Sequence, residues 1–176
     1  MSLPLEYEWL SKIQVPPKMI AEALKLYGTK ETVGDADNPE ILNWAKELGL
    51  NSYLHDSIAW CGLFIAIVAK RAGKDVVKDP LWAANWLKFG NPANEAMLGD
   101  VLVFKRPGGN HVGLYVAEDA TTYHVLGGNQ SDKVCIARIL KSRCRGFRRP
   151  IFKTAKPESV KKVIVSSTGI ISDNEA

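Results

Sequence analysis

The chain has 176 residues, 46% hydrophobic and 24% charged, and a formal net charge of +4 at pH 7. That composition suits one globular domain with a sizeable core and argues against intrinsic disorder and against a bilayer span. Three cysteines, Cys61, Cys135 and Cys144, share no C-x-x-C spacing, so they make a poor disulfide framework or zinc site and leave one reactive thiol open.

Residues 1–9 carry acids and neither a basic nor an apolar leader region, so synthesis in the cytoplasm without a signal peptide is expected. Residues 5–13 form a short amphipathic segment. Pro16-Pro17 separates it from residues 18–27, where Met19, Ile20, Ala23, Leu24 and Tyr27 recur at helical spacing and Gly28 closes the helix. A polar loop follows over 29–37. Asn38-Pro39-Glu40 then opens a second helix, with asparagine as cap, proline at the first helical position and an acid in the first turn. Ile41, Leu42, Trp44, Ala45 and Leu48 supply its buried stripe, and Gly49 ends it.

After a loop over 51–57, residues 59–69 are almost continuously apolar, too short to span a bilayer at roughly 20 residues. They read as a buried helix that starts at the capping residues Asp56 and Ser57 and stops at Lys70, Arg71 and Gly73. Cys61 then falls in the first turn. Unpaired N–H groups and the positive end of the helix dipole favour a thiolate there, and the same N–H groups can donate to an oxyanion. A further short helix is expected from Pro80 or Leu81 to Phe89, with Trp82, Trp86 and Phe89 as packing residues at i, i+4 and i+7.

From Gly99 the apolar period becomes two. Strands are expected over 100–104, 111–118, 121–126, 134–140 and 146–152, with Pro107-Gly108-Gly109 in a tight loop over 105–110. Helices first and antiparallel strands after define an α+β domain in which helices cover one face of the sheet. Residues 154–176, basic and then serine-rich, read as a poorly packed extension. Nine Lys or Arg against Glu158 alone give residues 141–162 a local charge of +8 and leave about −4 for the rest. Such a run meets anionic surfaces or is a solvated face, and without interleaved stacking aromatics it does not point to nucleic acid.

The candidate bases for a thiol are His55, His111 and His124. His111 opens a strand directly after the glycine-rich loop, sharing a face with Gly113 and Tyr115. Gly113 is expected to leave room for a helix end or a substrate. Gly127-Gly128-Asn129-Gln130 presents an amide near that strand. An Asn129 carbonyl accepting the imidazole Nδ1–H would aim Nε2 at Cys61.

Trp60-Cys61 at the head of an apolar helix, the strand Gly99-Asp100-Val101-Leu102-Val103-Phe104, Asn110-His111-Val112-Gly113-Leu114-Tyr115-Val116 and Gly127-Gly128-Asn129-Gln130 together resemble the CHAP and NlpC-like superfamily of papain-fold cysteine amidases and peptidases. The closer likeness is to its small single-domain branch among phage endolysins. It covers residues 18–150 and implies three parts: an extension over 1–17, a catalytic domain over 18–153 and a tail over 154–176. It further implies hydrolysis of peptidoglycan, at an N-acetylmuramoyl-L-alanine amide or within a stem or cross-bridge peptide, on the cell wall after release. A monomer is expected, and the thiol chemistry requires no metal or cofactor.

By that likeness Cys61 is the nucleophile, His111 the general base and acid, and Asn129 the orienting group, with Gln130 its nearest rival. Many members carry a Glu two places before the Asn, where this chain has Gly127. The Cys61 N–H, helped by Asp56, Ser57 or Tyr53, would form the oxyanion hole. The alternatives are a non-catalytic wall-binding module of the same fold and a secreted antibacterial effector amidase.

Overall fold

The computed structural model describes residues 2–34, 36–166 and 171–172. Three helices, α1 (Lys18–Lys25), α2 (Pro39–Leu48) and α3 (Cys61–Arg71), precede the sheet. Helix α2 follows its capping signals: Asn38 accepts from the Glu40 N–H at 2.8 Å, and Gly49 takes the left-handed conformation at φ 73° that ends it. Helix α3 departs from them. It begins at Cys61 with Trp60 before it and no side-chain cap, so neither Asp56 nor Ser57 caps it. The Asp56 carboxylate instead accepts the N–H groups of Thr32 at 3.1 Å and Asn38 at 2.8 Å, tying the loop before α2 to the loop before α3. Residues 61–69 of α3 are all buried, which is what a helix apolar on every side must do.

The sheet has six strands: β1 (Asn91–Ala93), β2 (Val101–Arg106), β3 (Gly109–Glu118), β4 (Thr122–Gly127), β5 (Cys135–Leu140) and β6 (Cys144–Arg149). Their spatial order is β1-β6-β2-β3-β4-β5, with every pairing antiparallel. The α+β class and the antiparallel sheet are therefore as expected, with two differences. Strand β1 is a three-residue edge containing Pro92, too short to show a period. The β2–β3 loop shrinks to Pro107-Gly108, since Arg106 already pairs with Gly109.

Val101, Val103, Val112, Leu114 and Val116 face the helices, while Leu102, Phe104, Tyr115, Val125 and Ile139 form a smaller cluster on the opposite face, backed by Tyr123 and Phe147. Gly113 leaves no room for a ligand. A Cβ there would sit 2.3 Å from a Val125 methyl carbon, so the glycine serves close packing of β3 on β4.

Described segments toward both ends of the sequence join this body. Residues Leu5–Lys12 form a 3₁₀ helix that buries Tyr7 and Leu10 in the core. Part of the expected loose tail is a strap: the Glu118 N–H donates to Val163 O, Val165 N–H to Glu118 O, and Ser159 Oγ to Val15 O. Residues 167–170 and 173–176 of that tail lie outside the described residues. The basic run is largely committed within the fold. Lys141 and Lys162 pair with Glu118, Arg149 with Asp100, and Arg148 donates to the carbonyls of Phe89 and Gly90.

The N-terminal 3₁₀ helix is held through a histidine. Tyr7 O–H meets His124 Nδ1 at 2.6 Å, and His124 Nε2 meets Asp119 Oδ2 at 3.0 Å. Burial pushes the His124 pKa below its ordinary 6.5 despite Asp119, and Arg138 adds to the lowering. Between the folded value and 6.5 the unfolded chain binds the extra proton, so stability falls as the pH drops through that window. Thermal melts from pH 7.5 to 5 are expected to show a declining midpoint, and His124→Gln is expected to flatten the decline. A slope unchanged in the variant would assign it to other groups.

Candidate active site

Helix α3 and strand β3 meet where β4 peels away. Strand β4 pairs with β3 only as far as Leu114↔Leu126, and beyond it the chain turns through Gly127 and Gly128. Into that gap comes the first turn of α3. The Cys61 sulfur lies in hydrogen-bonding reach of the Val112 N–H, the residue directly after His111, and of the N–H groups of Gly62 and Cys61 itself. These donors and the positive charge of Arg106 favour the thiolate, but burial outweighs them and holds the thiol above its ordinary value. The resting group is therefore a neutral thiol, not the thiolate that the helix terminus alone suggests, and Cys61 needs a base.

His111, fully buried, carries its orienting partner on the side away from expectation. Its Nε2 lies 3.0 Å from Gln130 Oε1. The Gln130 amide nitrogen donates to Val125 O at 3.1 Å and Cys135 O at 2.6 Å, so the oxygen has to be the atom that faces the ring. An oxygen accepts, which assigns the proton to Nε2 and leaves Nδ1 as the basic nitrogen. The expected arrangement, Nδ1–H to Asn129 with Nε2 facing the sulfur, is not the one formed: the orienting bond is made by Nε2, and its partner is Gln130. Asn129 stands in the left-handed region at φ 54°, and its buried Oδ1 has no hydrogen-bond partner.

The glycine pair explains the geometry. A Cβ on Gly127 would lie 2.7 Å from Gln130 Oε1 and 3.2 Å from His111 Nε2, inside the bond that orients the imidazole. A Cβ on Gly128 would lie 2.5 Å from Phe64 Cβ and 2.7 Å from the Trp60 ring, driving the segment off the head of α3. Residues 127–130 therefore touch both halves of the site, with Gly128 on the cysteine helix and Gln130 on the histidine.

The other candidates are elsewhere or occupied. His55 is exposed and bonds Asp37 at 3.1 Å, and His124 is held by Tyr7 and Asp119. Asp56 is an anion already accepting two N–H groups and cannot donate to an oxyanion. Tyr53 is buried and close enough to Cys61 to feel its charge, but its hydroxyl donates to Ile58 O at 2.9 Å. Ser57 is exposed. The N–H groups of Cys61 and Gly62 remain as the donors nearest the sulfur. Cys135 donates its S–H to Gln130 O at 3.4 Å and so packs behind the orienting amide, while Cys144 lies in β6, its thiol pushed up to about 11 by burial.

Among the described residues no three or more His, Cys, Asp or Glu side chains are placed to hold a metal ion, and no helix is long and apolar enough to cross a membrane. The site defines a class, an α+β protein in which a first-turn cysteine, a strand histidine and a glutamine amide converge. No protein-family model matches the chain, and no curated protein matches it.

Proposed function

We propose that this protein is a cysteine amidase or peptidase of the papain-like CHAP and NlpC kind, and that it hydrolyses an amide of peptidoglycan as an endolysin does. The observation that carries the chemistry is the Gln130-fixed His111, whose basic nitrogen is Nδ1 and whose chain neighbour Val112 turns its N–H to the Cys61 sulfur, a thiol that burial keeps protonated. The peptidoglycan substrate rests on the likeness of the four sequence segments.

In this reading the imidazole Nδ1 takes the Cys61 proton as the sulfur attacks the amide carbon, so the base acts during attack and no resting ion pair is required. The N–H groups of Cys61 and Gly62 receive the oxyanion. The imidazolium then returns the proton to the leaving amine and a thioester remains. Water, deprotonated by Nδ1, resolves it to a free carboxylate and thiol. Gln130 holds the Nε2–H throughout and stabilises the charged ring.

The test is mass spectrometry of soluble muropeptides after incubation with the purified protein. Fragment pairs whose masses sum to the parent plus one water are expected, with a new amine on L-alanine marking an amidase and one elsewhere an endopeptidase. Binding to insoluble peptidoglycan with no fragment released would support the wall-binding module instead.

A further inference from the structure

We propose that Arg106 selects the substrate, receiving on its guanidinium a free carboxylate within about one residue of the amide that Cys61 attacks. The inference rests on the hydrolase reading and adds to it a charge requirement.

Phe104 lies opposite His111 in the β2–β3 ladder, and Arg106 is two residues further along β2. Alternation puts Arg106 on the face that carries His111, at a diagonal spacing of about 7–8 Å. A side chain as long as arginine's can span that diagonal to the imidazole. The field of Arg106 is felt at the Cys61 thiol.

Three other arginines hold a carboxylate: Arg71 that of Glu47, Arg138 that of Asp119 and Arg149 that of Asp100. Arg145 donates to the Asn110 side-chain oxygen, and Arg148 to two backbone carbonyls at 2.6 and 2.8 Å. Half-buried Arg106 pairs with no carboxylate among the described residues, and its one hydrogen bond, Nε to Asn110 O, is long at 3.4 Å. A cation partly withdrawn from water without a counter-ion is costly unless a ligand supplies the anion.

The surroundings of Trp60, next to Cys61, have the opposite sign. Glu31 accepts the Trp60 Nε1–H at 2.6 Å, and burial, with Asp132 and Asp56 nearby, raises its carboxyl pKa. A substrate carboxylate is repelled there and drawn to Arg106. This polarity fixes which way an acidic peptide lies across the thiol.

The experiment uses one preparation of soluble muropeptides divided in two, one half untreated and the other with its carboxylates converted to primary amides by carbodiimide and ammonia. Wild-type protein, Arg106→Gln and Arg106→Lys are compared on both, with thermal midpoints measured alongside. The wild type is expected to lose about 10- to 100-fold in kcat/KM on the amidated half, the size of a charge-assisted pair. Arg106→Gln is expected to treat both halves alike, its loss on the untreated half falling on KM, with Arg106→Lys between.

Equal cleavage of the two halves by the wild type, or discrimination retained in Arg106→Gln, overturns the inference and leaves the hydrolase reading standing. A lowered midpoint in Arg106→Gln with discrimination intact assigns the residue to the hairpin and also overturns it. Cleavage of neither half by folded wild type defeats the hydrolase reading and this inference with it.

Discussion

Gln130→Leu is expected to lower turnover of muropeptides by about 10²- to 10⁴-fold, the range spanned by losing an orienting partner and by presenting the wrong imidazole tautomer. Cys61→Ala, measured beside it, is expected to leave nothing above background. Leucine matches glutamine in bulk but removes the Oε1 that fixes the proton on Nε2, so His111 samples the tautomer whose Nδ1 is protonated and cannot take the thiol proton. The change also strips the donor from Val125 O and Cys135 O, which is a stability cost of about 1–3 kcal/mol for a buried acceptor left unmade. Turnover therefore has to be compared at a temperature where both proteins are folded.

Asn129→Gly is the control that separates the neighbours. Glycine suits φ 54° and the asparagine oxygen has no bond to lose, so near wild-type turnover is expected. Loss in Asn129→Gly equal to that in Gln130→Leu would return the orienting role to Asn129.

Much of this arrangement was readable in the residue pattern, and the failures have identifiable physics. The period-two runs gave the five strands β2 to β6 to within a few residues, and the best-defined of them, β2, β3 and β4, are packed on both faces so that each register is pinned. Asn38-Pro39-Glu40 marked α2 because capping is local. Asp56 misled because the same acceptor oxygens that cap a helix also clamp two loops, and only the tertiary path decides which N–H groups arrive.

The choice between Asn129 and Gln130 was beyond local reasoning for a similar reason. It depends on which side chain, after a left-handed turn, folds back over the ends of β4 and β5. The paired glycines were the available signal. Two adjacent residues without side chains imply that something large approaches from each side, and here those are the head of α3 and the imidazole with its amide. The neutral resting thiol was not legible because a helix terminus contributes a modest field that favours the thiolate, while burial of the sulfur, which only the fold decides, costs the charged form more.

Asp119→Ala is expected to cost about 3–5 kcal/mol, the penalty for leaving buried partners of a removed charge uncompensated. The Asp119 carboxylate, 1% exposed, accepts from the N–H groups of Thr121 and Thr122, from Thr122 Oγ at 2.5 Å, from His124 Nε2 and from the Arg138 guanidinium. Burial alone would raise its pKa, but these donors outweigh it and hold the carboxyl well below the usual range. One side chain thereby ties the β3–β4 turn to β5 and, through His124 and Tyr7, to the N-terminal 3₁₀ helix.

For a domain of this size the expected loss lowers the melting midpoint by about 10 °C. Asp119 lies eight residues along from His111, about 26 Å at the rise of a strand. Turnover at low temperature should therefore survive in Asp119→Ala. Replacing Arg138 with methionine in the same protein is expected to recover part of the loss, since removing both charges also removes the orphaned cation. A strictly additive double variant would mean that Arg138 is satisfied without Asp119, and that the strap end of the fold is held by its apolar contacts alone.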